Sequence, residues 1–198
     1  MKKILFFFLI LVLSLGFIGA QQKEKPLSGK KIVMIIASDN FRDEELLEPM
    51  VILLDSGAEV LIASTSLDTA KGMLGAKIKP DILLKNIKVK DWDAIVFVGG
   101  SGAKEYWDNK IAHNILKEAI KENKIIGAIC IAPVTLANAG ILKDKKATVW
   151  KGVKDMIKSK GAKYIESDVV QDGKIITANG PKVAGEFGEV LVRVLEKD

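Results

Sequence analysis

Lys124-Ile125-Ile126-Gly127-Ala128-Ile129-Cys130-Ile131-Ala132-Pro133 is the stretch on which the fold turns. A β-branched apolar run stops at Cys130, and a segment of helical character begins directly after it. An apolar run this short and unbroken reads as a strand buried on both faces, the kind a parallel sheet uses. Ala128 and Ala132 flank Cys130 at equal distance. Small-x-nucleophile-x-small is the pattern of a nucleophile elbow, with Cys where hydrolases place Ser, and its small neighbours let a tight strand-to-helix turn close around the nucleophile.

Working outward, strand and helix patterns alternate. Lys31–Ala37 reads as a first strand. Arg42–Ser56 has helical period through Leu46, Leu47, Met50, Val51, Leu53 and Leu54, and Gly57 ends it. Ala58–Ala63 reads as a second strand, and Asp93–Val98 as a buried strand closed by Gly99-Gly100-Ser101-Gly102. Between them Met73–Leu84 is irregular, with room for two small strands. Asn109–Asn123 and Ala132–Ala139 read as helices, Ala147–Val149 as a short strand and Val153–Ser159 as a further helix. Lys163–Glu166 and Val169–Val170 are strand pieces, and Asp172-Gly173 is a hairpin turn before Lys174–Ala178. Pro181–Glu196 closes the chain as a helix with proline near its start. The alternation predicts an α/β fold: a single doubly wound domain over 31–198, with a mostly parallel sheet covered on both faces.

The first residues fall outside that domain. Lys2 and Lys3 precede the apolar run Ile4–Leu13, and Ile18-Gly19-Ala20 ends the segment in small residues. This is the layout of a signal peptide over 1–20, which predicts an exported chain, periplasmic or secreted. The rival reading is an uncleaved anchor formed by residues 4–20. Residues 21–30, polar and containing Pro26 and Gly29, are expected to be a loosely ordered lead-in. The net charge of +5 falls to +3 without the two leading lysines. The remaining cations are spread among acids with no interleaved aromatic cluster, so no nucleic-acid partner is expected. Cys130 is the only cysteine, which excludes an internal disulfide.

In a doubly wound sheet, ligands bind beyond the carboxyl ends of the strands. Three segments meet that edge: Ser38–Glu45, Gly99–Gly102 and Cys130. On a helical projection, Glu45 parts from Glu44, Glu48 and Asp55 and lies at the flank of the apolar face. It is either a partly desolvated carboxyl able to share a proton with a thiol, or an acid complementing the helix dipole. Gly99-Gly100 is either a plain turn or a place where backbone N–H groups approach an oxyanion. It lacks the Gly-Lys-Ser/Thr ending of a phosphate loop. Cys130 is either a buried structural residue or a reactive thiol whose pKa the following helix start lowers. His113, the only histidine, sits mid-helix and reads as a surface residue; one histidine and one cysteine without a spaced ligand cluster predict no metal site.

Together these residues resemble the PfpI/DJ-type superfamily, which comprises the PfpI-type proteases and the parkinsonism-associated deglycases and has a flavodoxin-like, class I glutamine amidotransferase-like fold. The resemblance rests on an ordered set: Phe41-Arg42-Asp43-Glu44-Glu45-Leu46-Leu47-Glu48-Pro49, Gly57-Ala58-Glu59-Val60, Lys79-Pro80-Asp81, Asp93–Gly100, Ala128–Pro133 and Gly180-Pro181. It implies that Cys130 is the elbow nucleophile and Glu45 the acid hydrogen-bonded to it. It further implies that the N–H groups of Gly100 and Ile131 form an oxyanion hole, with Gly99 beside it. Two positions depart from the pattern: the residue after the cysteine is Ile131 where the proteases carry His, and Trp150 stands where the deglycase branch often carries His. A Cys–His base pair is therefore not expected, which disfavours a peptidase. Trp150 either walls the pocket or simply packs. The resemblance implies a cofactor-independent enzyme of the deglycase/glyoxalase type that acts on reactive carbonyls or their adducts as a homodimer or larger assembly. The alternative is a cysteine-based redox sensor or stress-protective protein without turnover.

Overall fold

The computed structural model describes residues 25–198. The segment read as a signal peptide, and the start of the lead-in, lie outside the described residues. The described part of the lead-in corrects the expectation of loose order. Leu27 has no exposed surface, and its N–H donates to the Ser56 carbonyl at 2.9 Å, so an apolar anchor and a backbone bond hold 25–30 against the domain.

The chain runs β1 (Lys31–Ile35), β2 (Asp39–Phe41), α1 (Asp43–Asp55), β3 (Glu59–Ser64), β4 (Ala70–Gly72), β5 (Lys77–Ile78), β6 (Ile82–Leu83) and β7 (Ala94–Phe97). It continues with α2 (Lys110–Lys121), β8 (Ile125–Ile129), α3 (Pro133–Asn138), β9 (Lys146–Ala147), α4 (Lys154–Ser159), β10 (Lys163–Tyr164), β11 (Val169–Asp172), β12 (Ile175–Ala178) and α5 (Ala184–Leu195). A seven-stranded sheet has the order β11-β12-β8-β7-β1-β3-β6. Its pairs are parallel except β11–β12, the hairpin that the Asp172-Gly173 turn predicts. Each face carries its own core. One gathers Ile35, Phe97, Leu116, Val134 and Ile157; the other gathers Met34, Leu46, Val96, Ile129, Phe187 and Leu191. The central strands are buried on both sides, which explains their unbroken apolar runs. Among the described residues no helix is long and apolar enough to cross a membrane.

The strand order fixes where a ligand sits. From β1 the chain winds outward through β3 in one direction and through β7 and β8 in the other, so β1 and β7 flank a topological switch point. The segments following β1, β7 and β8 therefore emerge side by side. A second, three-stranded sheet, β2-β4-β5, stands over this edge. Its strands β2 and β4 have no counterpart in the sequence pattern, because segments this short leave no periodicity to read.

Candidate active site

Cys130 follows β8 and is one of four non-glycine residues described with positive φ, at 62°. Its conformation is held from both sides: its N–H donates to the Ala178 carbonyl at 2.9 Å, and its carbonyl accepts from the Trp150 N–H at 2.8 Å. A left-handed cysteine this firmly bracketed is a strained turn that the surrounding backbone enforces. The thiol is half-buried. The following α3 is only six residues long.

Glu45 reaches the same point from α1. Its position in the helix's first turn is framed by Pro49, which lacks the N–H that would close on the Glu45 carbonyl. The side chain has no exposed surface, and neither carboxyl oxygen has a protein hydrogen-bond partner in good geometry. Burial pushes its pKa up to about 7, against smaller downward pulls from the Cys130 thiol, Arg42 and the Gly99 N–H. Gly99 explains how the two groups meet. A β-carbon on Gly99 would strike the Glu45 carboxyl and lie 2.6 Å from the Cys130 β-carbon, so only glycine leaves room for this contact. Gly100, at φ 96°, is pressed against the backbone of residues 40–42, and the Arg42 N–H donates to the Gly99 carbonyl at 3.0 Å. Gly99-Gly100 is thus a wedge between two loops rather than a free turn.

The thiol departs from the sequence expectation. A helix start was expected to lower its pKa; instead burial and the charge of Glu45 push it up to about 12, and the N–H groups of Gly100 and Ile131 pull it down by less. Desolvation outweighs the weak dipole of a six-residue helix. These terms belong to a coupled pair. Once Glu45 holds the proton, its charge no longer opposes a thiolate, and the two N–H groups remain to bind one. The pair therefore gains its first negative charge around neutrality, through Glu45, and its second only in strongly alkaline solution.

These groups face a cavity of about 470 Å³ whose wall includes Cys130, Glu45, Gly100, Ile131 and Trp150. Gly99 lies behind the wall, against Glu45. Trp150, half exposed, also borders a neighbouring cavity of about 370 Å³. His113 is half-buried rather than on the surface: its Nε2 lies 2.8 Å from the Trp107 carbonyl, and the residue is not in the cavity wall. Among the described residues no three His, Cys, Asp or Glu side chains cluster as a metal site requires.

Sequence reasoning missed Arg42, Met73, Ser101, Lys104, Trp107, Val153 and Pro181, which complete the wall. Arg42 is clamped by Glu44 through two hydrogen bonds of 2.8 and 2.9 Å. Trp107 donates its indole N–H to the Ile131 carbonyl at 3.3 Å, and Lys104 lies 5.7 Å from its ring centre. These residues lie in connecting segments, where no periodicity marks them; Arg42, Ser101, Lys104 and Trp107 follow β1 and β7, whereas Met73, Val153 and Pro181 arrive from segments after β4, β9 and β12.

Known proteins are similar to this chain in sequence and fold. The model of the DJ-1/PfpI family matches residues 30–194. A protein of Methanocaldococcus jannaschii is 41% identical over 96% of this chain and 94% of its own. A glutathione-independent glyoxalase from Caenorhabditis elegans is 32% identical over 84% of this chain and 89% of its own, and a deglycase from Pyrococcus horikoshii is 31% identical over 83% and 99%. The solved structure of a ThiJ/PfpI domain protein from Brachyspira murdochii superposes with a TM-score of 0.84 at 32% identity, covering 86% of this chain and 99% of its own. With the doubly wound sheet, the cysteine elbow and a family match over nearly all the described residues, the chain belongs to the DJ-1/PfpI family.

Proposed function

We propose that the chain is a cofactor-independent enzyme of the deglycase/glyoxalase type, acting on reactive carbonyls or their adducts. The observation that carries this reading is the fully buried Glu45 carboxyl, set against the only thiol in the chain. With an α-oxoaldehyde, the Cys130 sulfur adds to the aldehyde carbon, and the new alkoxide meets the N–H groups of Gly100 and Ile131. Glu45 then takes the proton from that carbon and returns it to the neighbouring carbonyl carbon through an enediol, leaving a thioester. Water hydrolyses the thioester, releasing an α-hydroxy acid and the free thiol; the sum is substrate plus water, with no outside oxidant or reductant. A glycated amine or thiol would enter with cleavage of its C–N or C–S bond: the hemiaminal or hemithioacetal hydroxyl loses its proton as the C=O re-forms, the restored amine or thiol takes that proton and leaves, and the freed α-oxoaldehyde follows the same path. His113 is held by the Trp107 carbonyl, so proton transfer rests on Glu45.

The test is turnover of methylglyoxal by the full chain, with Cys130→Ala and Glu45→Gln alongside. Turnover in the wild type, lost by at least about a hundredfold in both variants, is the expected result. No turnover, together with ready oxidation of Cys130 by peroxide, would favour the redox-sensing alternative. We also infer that the chain is exported, on the strength of Lys2, Lys3 and the apolar run that follows them, and that it works as a homodimer.

A further inference from the structure

We propose that the carbonyl substrate is an anion, its carbonyl at Cys130 and its negatively charged end at Lys104. This rests on the enzymatic reading above and adds the substrate class. The first support is the balance of charge around the cavity mouth. The Cys130 cavity carries Arg42 and Lys104, and the neighbouring cavity, which shares Trp150 and Pro181 with it, carries Lys151 and Lys182. Against these four cations the two walls carry two carboxylates, Glu45 and Glu166, and Glu44 pairs with Arg42 beside them, which leaves Lys104 and Lys182 unpaired among the described residues. Glu45 is buried and gains its charge only around neutrality, and Glu166 is paired with Lys151 at 3.3 Å. Arg42 is oriented by its fork to Glu44, which uses Nε and Nη2 and leaves Nη1 without an acceptor among the described residues.

The second support is the placing of Lys104. It is exposed, lies over the Trp107 ring, and belongs to the segment that follows the Gly99-Gly100 wedge. Its ammonium is thus tethered near the oxyanion donors without being neutralised. Ser101, on the same turn, adds a hydroxyl to the wall. The third support is size. About 470 Å³ is far more than methylglyoxal fills, and both Arg42 and Lys104 stand in the wall of that space. An α-oxoaldehyde whose chain ends in a carboxylate or phosphate fits all three observations.

The experiment compares γ,δ-dioxovalerate, an α-oxoaldehyde ending in a carboxylate, with its neutral methyl ester on the full chain. The expected ratio of kcat/KM, anion over ester, is about tenfold in the wild type. It is expected to fall to near unity in Lys104→Gln and below unity in Lys104→Glu, and to shrink in the wild type as salt is raised. A wild-type ratio near one, or a ratio unmoved by both Lys104 variants, would overturn the proposal while leaving the enzymatic reading standing. A second measurement needs no turnover: protection of Cys130 from iodoacetamide by glutarate, by inorganic phosphate and by the neutral glutaramide. Protection by either anion at about tenfold lower concentration than the amide is expected, and the better anion tells carboxylate from phosphate. Equal protection by anions and amide, or none, would overturn the proposal. Failure to turn over any aldehyde despite selective protection would overturn the enzymatic reading alone.

Discussion

A carboxyl as deeply buried as that of Glu45 keeps its proton well above the ordinary range, and folding stability must register the cost. Its pKa rises from 4.5 to about 7 on folding, so between those values the folded chain binds more protons than the unfolded one. Stability therefore falls as pH rises through that window. At about 1.4 kcal/mol for each pKa unit, the loss approaches ~3 kcal/mol. Glu45→Gln is expected to remove this fall. Thermal melts should show the variant more stable than wild type at pH 8 by several degrees, and nearly equal to it at pH 5. Equal pH slopes in the two proteins would mean that Glu45 is not the desolvated group. Glu44 and Asp172, whose pKa values are lowered by Arg42 and by the Lys146 N–H respectively, act only in more acidic solution. At this scale much was legible in the sequence. A strand ending on a lone cysteine, and an acid parting from its helical neighbours, can be read from spacing alone. Arg42, Lys104 and Trp107 could not, because a loop side chain's aim depends on backbone turns that no period records.

At the scale of elements, the small β2-β4-β5 sheet is the piece the sequence hid, and one buried acid fastens it. Asp43, at the start of α1, accepts from the Leu74 N–H at 2.8 Å and the Ala76 N–H at 2.7 Å. That grip sets Met73 in the cavity wall, where its sulfur lies 3.5 Å from the Ser101 nitrogen. The sequence marks Asp43 only as a first-turn helix acid, because its partners lie about thirty residues away in sequence. Asp43→Ala leaves two part-buried N–H groups unpaired and is expected to cost about 1–3 kcal/mol. It should also free Met73 from the cavity. The measurement is KM against kcat: KM should rise several-fold while kcat changes less, and Cys130 should be alkylated faster by iodoacetamide than in the wild type. An unchanged KM would separate the small sheet from substrate binding.

The whole molecule was the most legible of all, since alternating buried strands and amphipathic helices admit few arrangements. What the alternation left open was the order of the strands, which depends on long-range pairing. Two expectations concern the full chain and share one test. Intact mass is expected to show the chain cleaved after Ala20 when it is made in a host that exports it. Light scattering on that product is expected to give twice the chain mass; a monomer would overturn the homodimer.

The elbow's backbone has a consequence for how this protein wears out. The amide of Cys130 is pinned to the end of β12 and its carbonyl to Trp150, so the elbow rests in part on the edge of the central sheet itself. Loss of the elbow's geometry is then expected to accompany loss of the central sheet rather than to precede it. If heat or denaturant acts on the sheet as one unit, the iodoacetamide reactivity that Cys130 keeps in a stressed sample is expected to track its folded fraction, which near-ultraviolet circular dichroism on the same sample checks.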